Sequence, residues 1–126
     1  MKSEIGRGYY RIVYQHDNPK WIVKVPRKEI TPHIEKHYQT YKRLPPPDEG
    51  IRQNKDEFKL YQTAPEELKK YLVPCIKMEG DNLVQLKGER TIRPHKHPNT
   101  FGRKDSDWVL IEGKKLLCDY GSLKNI

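Results

Sequence analysis

The stretch that decides the fold is Glu4-Ile5-Gly6-Arg7-Gly8-Tyr9-Tyr10-Arg11-Ile12-Val13-Tyr14, followed after a short turn by Trp21-Ile22-Val23-Lys24-Val25. A glycine pair leads into an alternating run of the β type, and a second apolar run follows with one lysine inside it. Glycines so placed let a strand-turn-strand backbone lie close over phosphates, because no Cβ holds them off. A lysine on the next strand reaches the same phosphates as a point charge. Glycine pairs alone say little; the ordered combination says more.

Working outward, the 126 residues fit one domain with a modest core. Hydrophobic and charged residues stand at 34% and 33%, so the core has to come from a few concentrated segments. These are 11–14, 21–25, 71–76 and 108–118, enough for a folded chain and not a disordered one. No apolar run reaches membrane-spanning length and no signal-type segment opens the chain, which predicts a cytoplasmic protein with no membrane partner. Cys75 and Cys118 sit in apolar contexts and read as buried free thiols, each inside a strand, in a reducing compartment. The net charge of +8 favours anionic partners: nucleotide phosphates, nucleic acid or an acidic protein surface. The basic residues form no long block, so a mixed-charge surface explains them equally well.

Strands are expected at 3–6, 10–15 and 21–26. Pro32 suits the first turn of a helix to about residue 44, with Ile34, Tyr38, Tyr41 and Leu44 along one side, broken by Pro45-Pro46-Pro47. A second helix is expected over 51–62, with Ile51, Phe58 and Tyr61 as its apolar side, and a short third helix from Pro65 to about Leu72. Strands over 73–79 and 82–87 join at Gly80-Asp81, residues 88–107 read as polar and turn-rich, and 108–112 with 116–119 form a hairpin around Gly113-Lys114.

Three polar residues stand out against this frame. Lys24 lies mid-strand; taken alone it is a surface lysine. Glu57 lies on the second helix; taken alone it pairs locally with Lys55 or Lys59. If that helix packs on the sheet, Glu57 can pair with Lys24 and hold it toward the phosphates. Asp119 ends an apolar strand before Tyr120-Gly121, where a carboxylate can hold Mg²⁺; taken alone it is a turn aspartate. His95, His97, Cys75 and Cys118 lack the pairing of a zinc site. Tyr9 and Tyr10, with Arg7 and Arg11, suit either base stacking or a protein contact.

In their order these segments resemble the protein-kinase-like superfamily, closest to the very small kinase-like proteins of bacteriophages. Residues 5–14 look like the glycine loop, 22–25 the lysine strand, 53–61 the helix of the glutamate partner, 71–74 the lead-in to the next strand and Met78-Glu79 the start of the hinge. Leu116-Leu117-Cys118-Asp119-Tyr120-Gly121 looks like the magnesium-binding Asp-Phe-Gly segment with tyrosine for phenylalanine. The catalytic-loop stretch departs from the pattern. Aligned without gaps, His95 falls where the aspartate base belongs, His97 on the histidine and Thr100 on the metal-binding asparagine, with Asn99 one residue off.

The resemblance implies an α+β fold: a twisted antiparallel sheet like a kinase N-lobe with packed helices, and a vestigial C-lobe hairpin. It implies one minimal domain over 1–126, divided into an N-lobe-like part (1–87) and a catalytic-loop and Asp-Tyr-Gly remnant (88–126), with the activation segment and docking helices missing. It implies a pseudokinase that binds ATP and Mg²⁺ but transfers phosphate poorly or not at all. The cofactor-binding residues would be Gly6, Gly8, Arg11, Val13, Lys24 and Glu57. His95, Asn99 and Asp119 stand as catalytic residues, and Asp119 and Asn99 as metal ligands. The alternative is a basic module that uses the scaffold only for shape and binds a host protein or nucleic acid. Its contact region would join Tyr9 and Tyr10 with the stretch around 95–103.

Overall fold

A computed structural model describes residues 3–8, 10–27, 36, 48–96 and 104–120. Apart from Lys36, which is helical, the helix expected over 32–44 and its proline break lie outside the described residues, as do Tyr9, His97, Asn99, Thr100 and Gly121. What is described is an α+β chain with two antiparallel sheets.

The first sheet has five strands: β1 (Glu4–Arg7), β2 (Arg11–Gln15), β3 (Trp21–Pro26), β4 (Cys75–Glu79) and β5 (Asn82–Leu86), in the spatial order β1-β2-β3-β5-β4. All its pairings are antiparallel. The turn at Gly80, whose φ of 63° suits a residue without Cβ, sends the chain back so that β5 inserts between β3 and β4. Met78 and Glu79, expected to begin a hinge, instead end β4. The chain leaves this sheet only after Leu86, because β5 supplies the hydrogen bonds that the inner edge of β3 needs.

Cross-strand register determines which side chains share a face. Val13 lies opposite Lys24, Lys24 opposite Leu83, and Ile22 opposite Gln85. With the period of two along each strand, Arg11, Val13, Ile22, Lys24, Leu83 and Gln85 project from one face. Helix α1 (Glu49–Thr63) packs against β3, β4 and β5.

The buried positions of α1 are Gly50, Asn54 and Glu57, spaced four and three residues apart. This corrects the expected apolar side: Ile51, Phe58 and Tyr61 are only half-buried, and a polar stripe faces the sheet. Gly50 lets the first turn of α1 come close to the sheet; a Cβ there would lie 2.4 Å from the Tyr10 carbonyl oxygen and 2.9 Å from Pro26 Cα. The helix ends where Ala64 donates to the Leu60 carbonyl and Pro65 follows, leading into the short helix α2 (Glu66–Lys69).

The second sheet holds β6 (Glu89–Arg90), β7 (Trp108–Ile111) and β8 (Lys114–Leu117) in that order. The expected two-stranded hairpin is thus a three-stranded sheet, since the polar pair Glu89-Arg90 adds to β7 through its backbone. The turn between β7 and β8 is Glu112-Gly113, one residue earlier than expected; φ is positive at both (49° and 79°), matching the twist of a tight hairpin. Cys118 accordingly follows β8 and is not inside a strand, while Cys75 opens β4.

Leu72, Trp108, Leu117 and Tyr120 form a buried cluster, with Leu60, Tyr61, Ala64, Leu68, Tyr71 and Cys75 packed on it. A parallel bridge of Leu72 with Leu117 ties the second sheet to the segment before β4: Val73 donates to the Leu117 carbonyl at 2.9 Å, and Leu117 donates to that of Tyr71 at 2.7 Å. Among the described residues no helix is long and apolar enough to cross a membrane.

Candidate functional site: a buried ion network beside a basic cleft

The site is assembled around Glu57, which is fully buried. Its Oε1 accepts from the Lys24 ammonium and from Gln85 Nε2 at 2.9 Å. Its Oε2 pairs with Arg11 Nη1 at 3.1 Å and accepts from the Tyr120 backbone N–H at 3.2 Å. A buried carboxylate is tolerated only when its charge is paired and its lone pairs are filled, and four donors meet that condition here.

Lys24, 4% exposed, also donates to the Cys118 backbone carbonyl. Arg11, 6% exposed, reaches further: Nη2 donates to Asp119 Oδ1 at 2.6 Å, and Nη1 to Asn54 Oδ1 at 3.0 Å. Asn54 is itself fixed, donating to the carbonyls of Lys24 at 2.9 Å and Asp81 at 2.8 Å. Two strands (β2 with Arg11, β3 with Lys24), one helix and the segment after β8 thus converge on a single charge cluster.

The segment after β8 is aimed by its own bonds. Cys118 donates from its backbone to Asp107 at 2.7 Å, and the Tyr120 hydroxyl donates to the Val73 carbonyl at 2.8 Å while lying 3.0 Å from Cys75 Sγ. Tyr120 is fully buried, and burial together with Cys75 and Glu57 pushes its hydroxyl far above the ordinary phenol range. With Tyr120 anchored below, Asp119 next to it keeps a half-exposed carboxylate at the surface of the cluster.

Electrostatics follow from this placement. Burial works against the charge on Asp119, but Lys24, Arg11 and Lys104 outweigh it and hold the carboxyl below its ordinary value. Burial also works against the Arg11 guanidinium, and there Glu57 and Asp119 outweigh it, so its pKa is raised. Burial pushes the Cys118 thiol up to about 11, and the Cys75 thiol up as well.

In front of Asp119 opens a cleft of about 450 Å³, lined by Arg7, Gly8, Arg27, Lys104, Ser106, Asp107 and Asp119. Its walls come from the glycine turn, the end of β3 and the segment before β7. The turn is held by Gly8, which donates to the Arg11 carbonyl at 2.8 Å, and by Arg27, whose Nη1 donates to the Gly8 carbonyl at 3.0 Å. A volume of this size suits a small polar ligand.

Of the residues singled out from the sequence, the structure gathers Gly8, Arg11, Lys24, Glu57 and Asp119 into one place. Val13 shares the face of Lys24, one register position across, and Gly6 pairs with Val13 from β1. His95 is exposed in a bend, and among the described residues no contact joins it to this cluster. Asn99 lies outside the described residues. Asn54 and Gln85, both fully buried, are additions; their signal was the four-and-three spacing from Gly50 to Glu57 and a glutamine inside an apolar strand.

Magnesium asks for hard oxygen ligands in octahedral array and brings two positive charges. Asp119 offers one carboxylate, and that carboxylate already holds the Arg11 guanidinium. Among the described residues no three His, Cys, Asp or Glu side chains come together as a metal set. With its carboxylate held by Arg11, Asp119 does not fit the ion as it stands. No protein-family model, no curated protein and no solved structure matches this chain.

Proposed function

We propose that the chain is a minimal kinase-like protein that binds a nucleotide by its phosphates and transfers phosphate poorly or not at all. The observation that carries this reading is the Lys24–Glu57 ion pair set beside Asp119 behind a glycine turn. In protein kinases a strand lysine, a helix glutamate and an aspartate near the phosphates work as a unit. Here the same residue types arrive in the same chain order. Gly8 leaves its turn close to the cleft, Lys24 is held by Glu57, and Val13 supplies an apolar surface on the same face as Lys24.

Weak transfer follows from the remaining parts. Phosphoryl transfer is mostly positioning and charge stabilisation. Asp119 is engaged by Arg11, and His95, which stands where the family carries its base, is exposed with no contact to the cluster among the described residues. The basic rim of the cleft and the net charge of +8 favour an anionic ligand over a neutral one.

The test is thermal melting with a non-hydrolysable ATP analogue, alongside transfer of label from γ-labelled ATP. At a hundredfold excess over Kd the native state gains about 2.7 kcal/mol, which raises Tm by several degrees. The expected result is a rise in Tm with label incorporation at background. No rise in Tm, or strong incorporation abolished by Asp119→Asn, overturns the reading.

A further inference from the structure

The charges in the cluster balance without a metal ion. Arg11 and Lys24 bring two positive charges, Glu57 and Asp119 two negative ones, and each carboxylate touches a guanidinium nitrogen of Arg11. That guanidinium cannot easily leave. Its Cα is fixed in β2 opposite Pro26, and its Nη1 is bound to an Asn54 that two backbone carbonyls hold in place. A divalent ion ligated by Asp119 would lie against this fixed cation, and like charges at that distance repel.

We infer that the site takes the phosphate end of a nucleoside triphosphate free of divalent cation, with the Arg11 guanidinium standing at Asp119 in place of the metal. The inference rests on the nucleotide reading above and deepens it. Arg27, Lys104 and Arg7, the last paired with Glu4 at 2.6 Å, line the cleft in front of the cluster, so a phosphate chain enters along a cationic rim. Of the two carboxylates lining the same cleft, Asp119 is paired with Arg11, which leaves Asp107 as the one set against the cationic side chains. An incoming anion therefore meets a net positive wall with no ion to bring along. A guanidinium also presents its donors in a planar fork, which suits phosphate oxygens and carboxylates alike.

The experiment is calorimetric titration of ATP into the wild-type protein, once in EDTA and once in excess Mg²⁺, repeated with Arg11→Gln and Asp119→Asn. The wild type is expected to bind in EDTA at least as tightly as in Mg²⁺. Arg11→Gln should lose tenfold or more in EDTA and recover part of that in Mg²⁺, because its cluster now carries an uncompensated carboxylate. Asp119→Asn, altered at a half-exposed position and so expected to fold, should lose less than tenfold in Mg²⁺ and no more there than in EDTA, since the carboxylate holds Arg11 and not a metal. Wild-type binding at least tenfold weaker in EDTA than in Mg²⁺ overturns the inference and leaves the nucleotide reading standing. So does a tenfold loss for Asp119→Asn in Mg²⁺, the mark of a metal ligand. Absence of binding in both buffers removes the nucleotide reading itself.

Discussion

Arg11 and Asp119 stand 108 residues apart in the chain and meet at 2.6 Å, Nη2 to Oδ1. The contact joins the strand after the glycine turn to the segment after the last strand, and it draws both onto the buried Glu57. The two sheets therefore share one polar centre as well as one apolar cluster, and the cleft lies where they meet. Four consequences can be measured.

Glu57→Ala leaves Lys24 and Arg11 without their shared buried counter-charge. Removing one partner of a buried pair costs about 3–5 kcal/mol, and here one deletion affects two cations. Lys24→Met should cost less, because Glu57 keeps Arg11, Gln85 and the Tyr120 amide. Urea unfolding of both variants checks the order; equal losses would show that Glu57 is not the hub.

Gly50→Ala reverses the usual helix rule. In an exposed helix interior alanine is better than glycine by about 0.8–1.0 kcal/mol. At Gly50 a Cβ meets the Tyr10 carbonyl oxygen at 2.4 Å, so α1 has to move off the sheet. Overpacking of this kind costs about 1–3 kcal/mol, and the midpoint of denaturation should fall. A rise in the midpoint would mean that α1 does not lie this close to β2 and β3.

The acid limb of stability should respond to Asp119. Its ordinary pKa is 3.8 and the folded value lies below that. A depressed carboxyl contributes stability that is complete above the ordinary value and is lost as pH falls through the folded one. Asp119→Asn should therefore flatten the stability profile below about pH 4 and change little of its shape at neutral pH. A variant with an unchanged acid slope would place Asp119 away from Arg11 and Lys24.

Both thiols should resist alkylation in the native state. Burial raises both, Cys118 to about 11, so little thiolate exists at pH 8. Labelling should be slow for each and accelerate on unfolding. Fast labelling of Cys118 alone would put the segment after β8 at the surface and detach Asp119 from the cluster.

Much of this arrangement was legible in the sequence, and the failures have physical causes. Alternation marked β2 and β3, and the order of Lys24, Glu57 and Asp119 announced their meeting, since each sits in or beside a segment that has to be buried. The face of α1 differs from the one its apolar residues mark. In fact the helix turns Asn54 and Glu57 inward, where Arg11 and Lys24 await them from the sheet. Within the helix only the four-and-three spacing of Gly50, Asn54 and Glu57 marks that face, and it names no partner. Arg11 stands out in the sequence beside the glycine turn, but its grip on Asp119 depends on tertiary placement across the whole chain. The insertion of β5 between β3 and β4 was likewise invisible, because local patterning marks a strand without saying which neighbour it joins. Glu89-Arg90 is polar and pairs by backbone alone, so it left no periodic signal.

The central claim is that the Lys24–Glu57 pair, with Arg11 and Asp119 beside it, forms a phosphate-binding centre. The most direct test is calorimetric titration of a non-hydrolysable ATP analogue into the wild type and into Lys24→Ala, each verified as folded at the titration temperature. The account predicts saturable binding to the wild type and a loss of at least about tenfold, 1.4 kcal/mol, in the variant. Equal affinities for the two proteins, or no heat of binding with the wild type, would contradict it.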